Sequence, residues 1–83
     1  MAYKISYKSS VHRDLKRLGK TEARRILDQL EHELSRNPDK YPILKGEFAG
    51  LRKYRVGDYR VIFAILDRDV LVLRIGHRKD VYR

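Results

Sequence analysis

The chain has 83 residues, with 20 Lys and Arg against 11 Asp and Glu, which gives a net charge of +9 and a pI near 10.1. This length predicts a single domain over residues 1–83. The absence of cysteine excludes disulfides, thiolate metal sites and a cysteine nucleophile. No apolar run is long enough for a signal peptide or for the roughly 20 residues of a membrane span, so we expect a cytoplasmic protein with no membrane partner.

The excess of positive charge indicates a polyanionic partner. Nine net charges on so small a body create a field that attracts polyanions. Nucleic acid is the first candidate, an acidic protein the second and an anionic membrane the third. The alternative that the charge serves only solubility stays open at this point.

The first half of the sequence predicts one strand followed by a helical hairpin. Apolar and polar residues alternate over Tyr3–Tyr7, as in a strand with one buried face. Ser9 and Ser10 offer a cap for a first helix, Thr21 offers one for a second, and Asn37-Pro38 is expected to end the second. Apolar residues recur at helical spacing in both segments: Val11, Leu15 and Leu18 in the first, and Ala23, Ile26, Leu27, Leu30 and Leu34 in the second.

The second half predicts a three-stranded antiparallel meander. Leu51–Val56, Tyr59–Leu66 and Val70–Ile75 are rich in β-branched and aromatic residues, and Gly57-Asp58 and Asp67-Arg68-Asp69 separate them as hairpin turns. The predicted fold class is therefore α+β: an N-terminal strand, an α-helical hairpin and the meander, with the helices packed on one face of the sheet.

The turns also predict which side chains share a face. If Gly57-Asp58 is a two-residue turn, Arg55 lies opposite Arg60, and if Leu66 pairs with Val70, Phe63 faces Leu73. One face then collects an apolar set: Tyr54, Val56, Tyr59, Val61, Phe63, Ile65, Leu71, Leu73 and Ile75. The opposite face collects Lys53, Arg55, Arg60 and Arg74, with Ile62, Ala64 and Val72 beyond them, and Arg78 joins it if the chain stays extended past Gly76.

This second predicted face concentrates positive charge. Arg55 directly across from Arg60 is unfavourable for stability, because like charges repel across a sheet. No carboxylate is predicted to share the face, since Asp58, Asp67 and Asp69 fall in turns. An anionic ligand accounts for such a cluster. The alternative is that these long side chains simply extend into water.

The residues of the meander resemble a known family. Leu51–Phe63, with the sequence LRKYRVGDYRVIF, resembles the central strands of RelE-type toxins, and Ile75–Arg83, with the sequence IGHRKDVYR, resembles their C-terminal signature. The resemblance implies the RelE/ParE superfamily of toxin–antitoxin systems and its α+β fold. RelE-like members are ribosome-dependent endoribonucleases that cleave mRNA in the ribosomal A site, whereas ParE-like members poison DNA gyrase.

The resemblance also implies roles for single residues. Arg60 matches an arginine that stabilises the cleaved phosphate, Arg78 a second catalytic arginine, Lys53 a strand lysine, and Tyr82 a tyrosine that stacks on the substrate base. This set favours a RelE-like mRNA interferase that inhibits translation. The alternatives are a ParE-like gyrase inhibitor and a non-catalytic RNA-binding member.

The general base is left open by the sequence. Arginines stay protonated at neutral pH, so Arg60 and Arg78 suit charge stabilisation and are unsuited to proton abstraction. Lys53, His77 and Glu47 are the three candidates. The three histidines are scattered and have no carboxylate pair beside them, so we expect neither a metal ion nor a cofactor.

The expected partners are implied by the resemblance to the family, and the basic surface suits an acidic partner. They are a cognate antitoxin, in a toxin–antitoxin hetero-oligomer, and the ribosome with its bound mRNA and rRNA. Further residues expected to contact RNA are Arg52, Arg55, Arg74, Lys45 and Lys79. Other basic residues are expected to contact the ribosomal RNA backbone, among them Lys16, Arg17, Lys20, Arg24 and Arg25.

Overall fold

A computed structural model describes residues 2–46 and 50–77. The elements in chain order are β1 (Lys4–Tyr7), α1 (Ser9–Leu18), α2 (Lys20–Leu34), a 3₁₀ turn (Pro38–Lys40), β2 (Arg52–Val56), β3 (Tyr59–Leu66) and β4 (Asp69–His77). This confirms the predicted α+β fold. Within the described ranges, no helix is long and apolar enough to cross a membrane.

The strands form one sheet in the order β1-β4-β3-β2. The two hairpins β2–β3 and β3–β4 are antiparallel, as predicted for a meander. The first strand is parallel to the last, with Ile5 opposite Val70 and Tyr7 opposite Val72. The helical hairpin between β1 and β2 therefore lies within the connection that brings the chain back to the same sheet.

The helices begin without the predicted side-chain caps. The N-cap of α1 is Lys8 and that of α2 is Gly19, and neither makes a side-chain capping bond. Ser9, Ser10 and Thr21 lie inside the first turns, so their prediction as caps was wrong. Ser10 uses its hydroxyl differently, because Oγ donates to the carbonyl of Leu73 at 2.8 Å.

The core lies between the helical hairpin and one face of the sheet. Its fully buried members are Val11, Ile26, Leu30 and Leu34 from the helices, and Val61, Phe63, Val70, Val72 and Ile75 from the sheet. The helical members follow the predicted apolar stripes. Burying such side chains stabilises the fold by about 1.5–3 kcal/mol each, before the conformational entropy cost is subtracted.

The register of β4 differs from the prediction. Leu66 pairs with Asp69 across the two-residue turn Asp67-Arg68, because Asp67 adopts a positive φ of 60°. A bulge beside Ile62 and Phe63 then restores the predicted pairing of Val61 with Ile75.

The shifted register exchanges residues between the two faces of the sheet. Phe63 faces Val72, where Leu73 was predicted. Val70 and Val72 are completely buried in the core, and Leu71 and Leu73 lie outside the core cluster. The placement of Val72 on the basic side and of Leu71 and Leu73 in the core was therefore wrong. An error of one residue in turn length has this effect, because successive strand side chains point to opposite faces.

Candidate functional site

The uncovered face of the sheet carries a basic cluster built by β2 and β3. Lys53 pairs with Ile62 and Arg55 with Arg60, as predicted from the two-residue turn at Gly57-Asp58. These side chains alternate with the core residues and so lie on the face away from the helices. We call Lys53, Arg55 and Arg60 the basic face.

A hydrogen bond fixes one residue of the basic face, Arg55, beside the turn at Gly57-Asp58. Arg55 Nε donates to the carbonyl of Gly57 at 3.0 Å, which holds an exposed guanidinium beside the hairpin. Lys53 and Arg60 are partly buried, and Ile62 beside them is completely buried although it lies outside the core cluster. Within the described residues, no ion pair joins a carboxylate to Lys53 or Arg55. The cluster therefore keeps a net positive charge that suits a polyanion.

Arg74, unlike Lys53 and Arg55, forms an ion pair with a carboxylate. Its Nε and Nη2 donate to the Asp14 carboxylate at 3.1 and 3.3 Å, and the Asp14 side chain is 7% exposed. The prediction that no carboxylate neutralises the basic set therefore fails at Arg74. The sequence pointed to this contact only indirectly: Asp14 is three residues after Val11 and four before Leu18, so it falls on the apolar stripe of α1.

Asp14 has a structural reason to be buried. β1 ends opposite Val72, so among the described residues no strand pairs with the later part of β4 on that side. α1 covers this edge: the backbone N–H of Lys8 donates to Val72 O at 2.9 Å, and the backbone N–H of Ile75 donates to Asp14 Oδ2 at 2.9 Å. The carboxylate thus satisfies both an edge N–H and a guanidinium.

Arg52 also has partners within the protein. Its Nη1 donates to the carbonyls of Asp39 and Tyr41 at 3.1 and 2.7 Å, which ties β2 to the segment after α2. Arg52 pairs with the core residue Phe63, so it is not on the side of the sheet that carries the basic face. Lys45 is exposed in the loop before β2. The structure therefore separates Arg52 and Lys45 from the three residues that it brings together.

His77 lies at the end of β4, opposite Tyr59. The two rings meet edge to face, with their centroids 5.9 Å apart. Both residues line a cleft of about 300 Å³ together with Asp14, Arg17 and Arg74. The predicted residues Arg78, Lys79, Tyr82 and Glu47 lie outside the described residues.

Polar contacts stabilise the opposite, helix-covered side. The Tyr7 hydroxyl donates to the Glu31 carboxylate, and burial followed by this bond raises the pKa of Tyr7 above its ordinary value. Glu33 contacts Lys40 Nζ at 2.8 Å, and hydrogen bonding to Lys40 is the largest cause of the lowered pKa of the Glu33 carboxyl. In the described part of the chain, no group of three or more His, Asp or Glu side chains is placed to hold a metal ion.

Comparison with known proteins identifies the family. A model of the ParE toxin of type II toxin–antitoxin (parDE) systems matches residues 5–82. The chain belongs to the ParE toxin family. A search of curated proteins gave no match.

Solved structures place this ParE-family chain within the wider RelE/ParE superfamily. The toxin–antitoxin complex RelBE2 of Mycobacterium tuberculosis is similar at 29% identity and a TM-score of 0.83, covering 94% of this chain and 100% of that one. The archaeal RelE–RelB complex of Pyrococcus horikoshii is 31% identical with a TM-score of 0.64, covering 98% and 100%. A mutant of the E. coli toxin RelE in the free state shares the fold at 20% identity, with a TM-score of 0.76 over 99% of this chain and 90% of that one. The protein is therefore a toxin of a toxin–antitoxin system.

Proposed function

We propose that the protein is a ribosome-dependent endoribonuclease that cleaves mRNA in the ribosomal A site and so inhibits translation. The observation that carries this proposal is the basic face, where Lys53, Arg55 and Arg60 meet on the side of the sheet away from the helices. A phosphoryl-transfer site needs cations beside the reacting phosphate. We expect the ribosome to position the substrate against these cations.

The proposed reaction breaks the bond between phosphorus and the 5′-oxygen. The 2′-hydroxyl gives its proton to a base and attacks the phosphorus, and the departing 5′-oxygen takes up a proton. Arg60 stabilises the charge on the pentacoordinate phosphorane, and its guanidinium suits two phosphate oxygens at once.

The proton acceptor and the stacking residue remain predictions. Lys53 is the first candidate base because it shares the basic face with Arg60, and His77 is the second, at the end of β4. Glu47 as a base, Arg78 as a second phosphate ligand and Tyr82 as the stacking residue rest on the resemblance alone.

We further propose that a cognate antitoxin binds this toxin. The M. tuberculosis and P. horikoshii structures are complexes of toxin with antitoxin. The net charge of +9 suits an acidic partner, which would inhibit the toxin by covering the basic face.

Translation in vitro with purified, antitoxin-free protein tests the activity. The 5′ ends of the mRNA are mapped by primer extension for the wild type, for Arg60→Ala and for Arg36→Ala, which removes an exposed arginine beyond the end of α2. We expect A-site cleavage by the wild type and by Arg36→Ala, and a loss of about 100-fold or more in Arg60→Ala. Circular dichroism of each variant checks the fold.

The match to the ParE model supports a second candidate, inhibition of DNA gyrase. A supercoiling assay with the same three proteins separates the two activities. Intact mRNA together with inhibited gyrase, unchanged by Arg60→Ala, would replace the ribonuclease by the gyrase inhibitor.

A further inference from the structure

In addition to the basic face, the structure has a positively charged cleft between α1 and the later half of β4. It consists of two adjoining parts that share Asp14, Arg17 and Arg74, with volumes of about 300 and about 200 Å³. The larger part reaches Tyr59 and His77. The smaller part adds Ser10 and Arg13. We call the two parts together the α1–β4 cleft.

The charges of the cleft are unbalanced. Arg13, Arg17 and Arg74 bring three guanidiniums, and Asp14 is the one carboxylate among the described residues that line the cleft. Asp14 is also occupied, because it accepts hydrogen bonds from Arg74 and from the backbone of Ile75. Arg13 and Arg17 lie one turn apart on α1, an arrangement of like charges that destabilises a helix. An anion in the cleft would offset that cost.

The Arg74 guanidinium is fixed in position by Asp14 before any ligand binds. Asp14 fixes the guanidinium through Nε and Nη2 and leaves Nη1 outside the pair, and the Arg74 side chain is 40% exposed. A guanidinium fixed in advance loses less conformational entropy when a ligand binds.

Arg74 links the cleft to the side of the sheet that carries the basic face. Ile62 on β3 pairs with Lys53 on one side and with Arg74 on the other, so these three residues form one row across the sheet. Two strand spacings separate Lys53 from Arg74, about 10 Å. A strand of nucleic acid that crosses the sheet along this row arrives at Arg74 and then at α1.

We propose that the α1–β4 cleft binds the backbone of the same RNA strand that lies on the basic face, with Arg13, Arg17 and Arg74 as its phosphate ligands. This inference rests on the proposed function for the identity of the polyanion. The Tyr59–His77 ring pair favours RNA over an acidic peptide, because aromatic rings offer a surface to an unpaired base.

Two matched double variants test the cleft. Arg13→Ala with Arg17→Ala removes two charges from it, and both positions are exposed on α1, where alanine preserves the helix. Arg36→Ala with Arg68→Ala removes two charges elsewhere: Arg36 follows α2, and Arg68 lies in the turn before β4, away from its later half. Both pairs change the net charge equally, so a general electrostatic effect would be the same for both.

Binding of a fluorescent, single-stranded 2′-deoxy-substituted oligonucleotide that cannot be cleaved is measured by anisotropy at several salt concentrations. We expect the Arg13/Arg17 pair to weaken binding by about tenfold, and to lower the salt slope by about 1.4 because two phosphate contacts are lost. The Arg36/Arg68 pair should change affinity by less than about twofold. Equal losses in the two pairs, or no binding by the wild type at low salt, would overturn the proposal. Unchanged oligonucleotide binding with weakened binding of an acidic peptide would also overturn it, and would assign the cleft to a protein partner.

The ribosomal assay separates this proposal from the activity on which it rests. If the wild type does not cleave mRNA but the Arg13/Arg17 pair still loses oligonucleotide affinity, the cleft stands and the ribonuclease fails. If the wild type cleaves mRNA and the Arg13/Arg17 pair binds and cleaves equally well, the ribonuclease stands and the cleft fails.

Discussion

On the face of the sheet that the helices cover, Val61 and Phe63 are completely buried, whereas on the other face Lys53 and Arg60 keep part of their surface in solvent. Arg60 and Val61 are neighbours in β3, yet one lies on the basic face and the other in the core. Alternate side chains of a strand point to opposite sides, so neighbouring residues of one strand can lie in the core and on an exposed charged face. Substitutions on the two faces should have separable effects.

The largest loss of stability is expected on the covered face. Phe63→Ala removes a ring from a completely buried position, so the free energy of unfolding should fall by about 3–5 kcal/mol. A domain of this size has about 4–12 kcal/mol in total, so the variant would be close to unfolding. Urea denaturation measures the change. Leu66→Ala is the control, because Leu66 is 54% exposed, and it should change stability by less than about 0.5 kcal/mol. Similar losses in both variants would contradict the division between the faces.

The next largest loss of stability is expected for substitutions of Asp14, because its carboxylate stabilises the edge of the sheet that α1 covers. Asp14→Ala leaves the backbone N–H of Ile75 without its acceptor and frees the guanidinium of Arg74, so we expect a loss of about 1–3 kcal/mol by the same measurement. Asp14→Asn keeps a carbonyl oxygen for Ile75 and should lose less than half as much. If asparagine costs as much as alanine, the ion pair with Arg74 and not the edge hydrogen bond is the main contribution.

The sequence predicts what local patterns control. Alternation over Tyr3–Tyr7, helical spacing in both helices and the turn at Gly57-Asp58 are local signals, and the structure confirms the elements they predicted. The same turn places Arg55 opposite Arg60, so the basic face followed from the sequence as well.

These local patterns do not predict contacts between residues that are far apart in the sequence. The parallel pairing of β1 with β4 joins residues more than sixty positions apart, and no turn specifies it. The burial of Asp14 depends on that pairing, because the short β1 leaves an edge that α1 must cover. The register of β4 depended on Asp67 at positive φ, which made the turn one residue shorter than the sequence suggested.

A substitution on the basic face should change binding and leave stability almost unchanged. Arg55→Thr keeps a good strand former and relieves the repulsion from Arg60, at the loss of one exposed hydrogen bond to Gly57. The free energy of unfolding should stay within about 0.5 kcal/mol of the wild type, while affinity for the single-stranded oligonucleotide falls by roughly threefold to tenfold. Arg68→Thr, in the turn before β4, is the control and should change neither quantity. A stability loss above about 1 kcal/mol would show that Arg55 serves the fold instead.

The smallest expected effect is the pH dependence of stability that Tyr7 causes on the covered side of the sheet. Burial and the bond to Glu31 raise the pKa of Tyr7, so the folded protein holds this proton more tightly than the unfolded chain does. The contribution is complete below the ordinary tyrosine pKa of about 10, and it is lost as the pH rises toward the higher folded value. Urea denaturation at a series of pH values from 8 to 10.5 should therefore show a stability contribution that is level at first and falls as the pH reaches and passes about 10. Because the phenol is only half-buried and partly screened, Tyr7→Phe should reduce that fall by only about 0.3 kcal/mol.

Arg55→Thr supplies the comparison from the basic face. A guanidinium stays protonated throughout this range, so the variant should follow the wild-type pH profile. If Tyr7→Phe also follows the wild-type profile, the alkaline loss arises elsewhere on the covered side, and Tyr41, whose pKa is raised by burial and by Glu33, is the next residue to replace by phenylalanine. If Arg55→Thr flattens the profile, the positive charge of the basic face influences the titration of groups on the opposite side of the sheet, and the two faces are electrostatically coupled despite their separate packing.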